Sequence, residues 1–342
     1  MKRKEITSLV ILILVIGYGA WQFYHRSFTQ TKSKHLLDTV VSITATSKSK
    51  NVGNMIDSVF VYIESLQDKL NDFDPNSLLY KINHSDATTF TMDEDIYELL
   101  VLSDRLYKLS NGKFDPSIKP VLNLWGFGSS PGEYIDTLKA AVPDSLMLKQ
   151  ALHMVGFSKL AFDKTSLYKP AGMQLTFGAI AKGYILDKAA QKMKELGIVS
   201  GNIDCRSSMI FFGSKIPQLV YIQHPMLSRD DYIASFKILN SSVGTSGNYQ
   251  QCFEQDGVHY HHIIDPHTGY PTPNIFSTTV ITPSAALADG LSTAFFLMPP
   301  QKAIEVAKSM KECDLVIYYE QDGHPVSLKS MGMKQLDFKE KL

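Results

Sequence analysis

Ser284 to Met298 reads SAALADGLSTAFFLM and is predicted helical; Pro299-Pro300 separates it from a second helix that runs to about Met310. Asp289 and Thr293 are four residues apart in it, so their side chains share one face. A carboxylate and a hydroxyl are hard oxygen ligands. Mg²⁺ takes one or two protein carboxylates and completes its octahedron with water and phosphate oxygens. An exposed Asp, and a Thr bonded back to its own helix, would show the same spacing. Ala285, Ala286, Ala288, Gly290 and Ala294 are small, so another group can approach this helix closely.

Outward from that helix, Asp322-Gly323 and Asp256-Gly257 sit between aromatic and β-branched residues and predict two hairpins. Ile180 to Leu196 is an amphipathic helix stopped by Gly197, and Leu148 to Leu152 suggests a short helix. Thr91 to Asn111 reads as a helix with Thr91 and Glu94 as a capping box and Gly112 as its stop. Ile56, Val59, Ile63, Leu66 and Leu70 form one helical face, and His35 to Thr46 alternates as a strand. Asn71 to Asn83 reads as a polar loop, Phe28 to Lys34 as a linker. Strands and helices mix without βαβ alternation, so the fold class is α+β.

The N-terminus carries Lys2, Arg3 and Lys4 before an apolar run from about Leu9 to Trp21, the pattern of an export signal or an uncleaved membrane anchor. Trp21, Phe23 and Tyr24 would suit the interface on the far side. The basic start places the N-terminus in the cytoplasm and the rest outside. Over 342 residues, 34 Lys+Arg balance 34 Asp+Glu, which argues against nucleic acid as a partner. Cys205, Cys252 and Cys313 show neither CxxC nor zinc spacing and read as small apolar side chains.

Four other segments carry chemistry. Phe177 to Asp187, FGAIAKGYILD, places Gly178, Lys182 and Gly183 where a strand would turn into a helix, a setting that favours phosphate, although it is neither a P-loop nor GxGxxG. Tyr260 to Pro271, YHHIIDPHTGYP, holds His262 and Asp265, either of which could move a proton; a strand ending in a turn is the plainer reading. Gly244 to Tyr249, GTSGNY, reads as a small polar loop able to offer N–H groups to an anion. Phe114 to Gly128, FDPSIKPVLNLWGFG, reads as an aromatic surface loop. Ser246 lacks the GxSxG context of a hydrolase.

Taken in order, LLDTVVSI, FDPNS, FDPSIKPVLNLWGFG, FGAIAKGYILD, TSGNY, YHHIIDPHTGYP and ALADGLSTA closely resemble the ApbE family of FAD:protein FMN transferases, over about His35 to Met298. The resemblance implies mixed sheets with flanking helices, preceded by an N-terminal membrane helix: a signal or anchor with a short flank over 1–27 and a flavin transferase domain over 28–342. It implies Mg²⁺ and FAD, transfer of FMN through a phosphoester to a Thr of an acceptor protein, and loss of AMP. It also implies, as typical acceptors, subunits of membrane redox complexes, and an envelope enzyme; with the basic, apolar N-terminus, the expectation is a catalytic domain in the periplasm tethered to the inner membrane.

By motif position, the resemblance gives Asp289, Thr293 and the backbone carbonyl of Ala179 as metal ligands and Lys182 as a nucleotide contact. Trp125, Gly126 and Phe127 match a loop against the cofactor; Leu37 and Phe73 match further contacts, and His262 and Ile263 flank the nucleotide. His262 and Asp265 are both candidates for the base. Thr176 stands where the family often has Asp, and its hydroxyl would take over that residue's contact with the nucleotide; Arg206-Ser207-Ser208 stands where the family has a GGD turn, and Asn248 where Asp often follows TSG. The same residues would serve an Mg²⁺-dependent FAD pyrophosphatase or an envelope flavin-binding protein without turnover.

Overall fold

The computed structural model describes residues 3–24, 26–127, 140–227 and 231–341, and the side chains within 3–6 and 19–24 and of Leu9 are not described. The elements in chain order are α1 (Arg3–Tyr24), β1 (Phe28–Leu36), β2 (Thr39–Ser47), α2 (Val52–Leu70), α3 (Leu78–His84), β3 (Thr89–Thr91), α4 (Glu94–Leu109), α5 (Lys119–Leu124) and α6 (Ser145–Met154). Then come β4 (Ala161–Phe162), β5 (Ser166–Tyr168), α7 (Ala181–Glu195), β6 (Ile198–Asp204), β7 (Ser208–Phe212), β8 (Gln218–Gln223), β9 (Tyr232–Ile238), β10 (Ser242–Gly247), β11 (Cys252–Gln255) and β12 (Val258–His261). The chain ends with β13 (Ile275–Thr282), α8 (Ala285–Phe296), α9 (Pro300–Ser309), β14 (Asp314–Gln321), β15 (His324–Lys329) and β16 (Lys339–Glu340).

An eight-stranded antiparallel sheet, ordered β1-β2-β6-β7-β10-β13-β14-β15, backs the molecule. Helices α2, α7 and α8 pack on one face of it and share the largest apolar core with α4. On the other face β7, β10, β13 and β14 meet the small sheet β16-β9-β8 through a second core containing Phe211, Val220, Phe236 and Tyr318. A third cluster gathers Val121, Trp125, Phe127, Leu148 and Ile264 under α5 and α6. The α+β expectation holds.

Four local expectations are overturned. Phe28 to Lys34 is not a linker but most of edge strand β1. Apart from Phe28, which packs on the core, its side chains are polar, so no apolar alternation marks it. Thr29 pairs with Thr46, Thr31 with Thr44 and Ser33 with Ser42 across the ladder at 2.8, 2.9 and 2.8 Å, and Lys32 reaches Asp57 of α2 at 2.6 Å. Leu37 and Asp38, both at positive φ, make the turn to β2. In the expected loop 71–83, Ser77 Oγ accepts from Tyr80 N at 2.9 Å and starts α3. Helix α4 is capped by Asp93, whose Oδ1 accepts from Asp95 N and Ile96 N, while Thr91 belongs to β3. GTSGNY is largely the interior strand β10, between β7 and β13.

The N-terminal segment is helical, with the side chains of Val10 to Ile16 exposed. Among the described residues no helix is long and apolar enough to cross a membrane. The side chains of Trp21, Phe23 and Tyr24, and the whole of Lys2, lie outside what the structure describes.

Candidate functional site

Helices α7 and α8 approach at backbone distance. A Cβ on Gly183 would collide with the carbonyl of Ala285, and one on Gly244 of β10 with the backbone of Ala288. The small residues of α8 therefore admit the protein's own backbone. Asp187 of α7 fixes the register: its carboxylate accepts from Ala285 N, Ala286 N and Ser284 Oγ at 2.8, 3.0 and 2.7 Å, satisfying the first turn of α8. Burial pushes the Asp187 carboxyl pKa up, while these donors pull it down.

This contact aims Asp289 at the start of α7. Its Oδ2 accepts from Gly183 N and its Oδ1 from Ser208 Oγ, both at 2.9 Å. Burial, with 8 % of the residue exposed, pushes its carboxyl up to about 6, opposed by the Gly183 N–H and the Lys182 charge. One turn on, Thr293 Oγ1 lies 3.0 Å from Ser246 Oγ, which also contacts Ser292 Oγ at 2.8 Å. Among the described residues no group of three His, Cys, Asp or Glu side chains gathers to hold a metal. One buried carboxylate beside hydroxyls suits a hard divalent ion that takes its remaining oxygens from water and phosphate.

Asp289, Thr293, Ala179 and Lys182 open onto one cleft of ≈ 440 Å³. That volume lies within the range of ligand sites. Of the other expected contacts, Leu37, Phe73, Phe127, Thr176, His262 and Ile263 also line it. Trp125 does not. It is fully buried, donates from Nε1 to Gly269 O at 2.8 Å, and stacks among Phe127, Phe253 and Tyr260. Gly126 next to it has a φ of 82° and turns the chain so that Phe127 reaches the cleft. The segment from Phe114 is thus a 3₁₀ turn and helix α5 packed on α6, rather than a surface loop. Gly128 lies outside the described residues.

The two candidate bases differ. His262 lines the cleft with Nδ1 3.3 Å from Gln251 O, so Nδ1 carries the proton and Nε2 is left as an acceptor. Burial, then the neighbouring His261, lowers its pKa to about 3, so the ring is neutral at pH 7. Asp265 is ion-paired with Lys113, accepts from His267 N at 3.0 Å, and does not line the cleft.

Sequence reasoning missed several participants. Ser208 and Ser246 touch Asp289 and Thr293 from strands 81 and 47 residues away in sequence. The turn at Arg206 keeps a left-handed conformation, φ 66°, with Arg206 N donating to Asp204 Oδ1 at 2.7 Å, so an Asx turn does the work glycine would do. Lys119 and Asp72, buried in the cleft wall, were also not singled out. Cys205 lines the cleft too; all three cysteines are free, and burial holds the Cys205 thiol up at about 12.

The ApbE family model matches residues 37–317. The chain belongs to the ApbE family. The FAD:protein FMN transferase of Haemophilus influenzae is 29% identical to it over 311 residues, covering 87% of each chain. That of Treponema pallidum is 26% identical over 333 residues, covering 91% of this chain and 90% of its own. The crystal structure of the ApbE protein from Thermotoga maritima superposes with a TM-score of 0.81 at 29% identity, over 90% of this chain and 99% of that one. The region matched by the family model contains both the start of α7 and all of α8.

Proposed function

We propose that this chain is an Mg²⁺-dependent FAD:protein FMN transferase. The observation that carries the reading is the convergence of Asp289, Thr293 and Lys182 on a single cleft that is also lined by aromatic rings and charged side chains, in a chain of the ApbE family. A divalent cation held by Asp289, Thr293 and the Ala179 carbonyl would neutralise charge on the pyrophosphate of FAD.

The protein's own groups do the rest. Lys182, in the first turn of α7, adds positive charge beside the phosphates. The acceptor Thr hydroxyl attacks the phosphorus of the FMN half, the bond to the AMP phosphate breaks, and the hydroxyl proton passes to a base. His262 Nε2 is favoured over Asp265, because it faces the cleft and Asp265 is held by Lys113. A weakly basic imidazole suits a reaction that depends mainly on positioning and charge neutralisation.

The acceptor is a Thr-bearing flavoprotein, such as a subunit of a membrane redox complex. α1 supports a tethered, periplasmic placement: its exposed side chains from Val10 to Ile16 form an apolar run behind a basic start, which would meet lipid rather than protein.

Incubation of the full chain with FAD, Mg²⁺ and a Thr-bearing acceptor, followed by intact-mass measurement, tests the reading. The acceptor should gain the mass of one FMN less water, and Asp289→Ala should slow this by on the order of a thousandfold. An acceptor of unchanged mass while AMP accumulates would make the protein a pyrophosphatase. Full labelling by Asp289→Ala would remove the metal assignment.

A further inference from the structure

We propose that the buried Asp72–Lys119 pair, beside the ring of Phe73, reads the hydrogen-bonding edge of a planar heteroaromatic ring held in the cleft. The inference rests on the transferase reading, which supplies a dinucleotide with two such rings.

Lys119 and Asp72 are 4% and 8% exposed, yet both line the cleft. Lys119 Nζ lies 3.2 Å from Asp72 Oδ2 and 3.8 Å from the centroid of the Phe73 ring. Asp72 Oδ2 is buried, with the Lys119 ammonium as its ion-pair partner. Burial lowers the Lys119 pKa, while the Asp72 charge pulls it back up. Such a pair is a poor device for stability: an apolar pair of the same volume would hold the wall at least as well. Its position is also fixed from both sides. Asp115 Oδ1 accepts from Ser117 N at 2.8 Å and its Oδ2 from Phe157 N at 3.0 Å, anchoring the turn before Lys119. Asn71 Oδ1 accepts from Phe73 N at 2.9 Å, anchoring the turn around Asp72. A pre-oriented acceptor beside a pre-oriented donor, set in an aromatic wall, complements a ring that presents a donor next to an acceptor.

Two rings of FAD have such an edge. The pyrimidine portion of isoalloxazine places N–H between two carbonyls, and adenine places an amino group beside a ring nitrogen. FMN and ADP carry one ring each and separate the two sources.

The test measures binding of FAD, FMN and ADP, each with Mg²⁺, to the full chain and to the double variant Asp72→Leu/Lys119→Met, which removes both charges and leaves neither unpaired. Thermal melting checks that the variant folds. Asp72→Asn, nearly isosteric, is a second variant that turns the acceptor into a mixed edge. The wild type should bind FAD, and both variants should lose about tenfold to a hundredfold in affinity for FAD and for only one of FMN and ADP. Loss confined to FMN assigns the pair to isoalloxazine, and loss confined to ADP assigns it to adenine. Affinities that do not change, or that fall equally for both halves, overturn the inference while FAD binding by the wild type leaves the transferase reading standing. A wild type that binds no FAD overturns both.

Discussion

Two walls of one cleft are built in opposite ways. The α7–α8 corner is made of small residues at backbone contact, with one carboxylate satisfied by a backbone N–H and a serine hydroxyl. The opposite wall, from Phe114 to Phe127 with Asp72 and Phe73, is made of large rings and charged side chains. Here packing sets which side chains meet: Trp125 with Gly269, the adjoining Lys113 with Asp265, and Lys119 with Asp72. The corner gathers a carboxylate and hydroxyl oxygens; the wall gathers rings. The difference teaches that chemistry fixed by one helical turn can be read locally, whereas chemistry fixed by packing cannot.

The largest effect that could break this comparison is at Trp125. Because it is buried and its indole N–H is used by Gly269 O, Trp125→Ala should cost about 3–5 kcal/mol in urea unfolding. An unchanged unfolding midpoint with weakened FAD binding would make Trp125 a ligand contact after all.

Next is the charge at Asp289. Its folded pKa of about 6 stands above the unfolded 3.8, so this group's contribution to stability is complete below pH 3.8 and is lost as pH rises through about 6. Asp289→Asn, whose amide can accept from Gly183 N and donate to Ser208 Oγ, removes that loss. Without metal, the variant should be more stable than wild type at pH 8 by on the order of 3 kcal/mol, and the gap should close near pH 4. Comparing the two proteins at each pH cancels His262, whose lowered pKa of about 3 acts in the opposite sense, costing stability as pH falls below its unfolded value. Added Mg²⁺ should stabilise only the wild type.

Gly183→Val sharpens the comparison from the other side. Its side chain would meet the Ala285 carbonyl and wedge α7 from α8, costing about 1–3 kcal/mol in the same unfolding assay. The smallest effect is at Arg206, where glycine would relieve a left-handed backbone; Arg206→Gly should raise stability by about 1 kcal/mol.

What the sequence shows follows the same division. Helices α2, α7 and α8 and both Asp-Gly hairpins are legible because periodicity and turn chemistry are local. Asp289 and Thr293 share a face for the same reason. Strand β1 is not legible, since an edge strand with hydroxyl ladders carries no apolar alternation. Nor is the burial of Trp125, since the aromatic cluster that encloses it draws on residues from Phe253 to Tyr270. Ser208 and Ser246 reach the site from strands whose neighbours are set only by sheet order.

The account stands on a cation between α8 and the phosphates of FAD. A crystal structure with Mn²⁺ and FAD, with anomalous scattering recorded at the manganese edge, tests this most directly. The predicted result is one anomalous peak within coordination distance of Asp289 and Thr293, with FAD bound in the same cleft. FAD bound in the cleft with its pyrophosphate away from Asp289, or manganese ligated elsewhere, would contradict it.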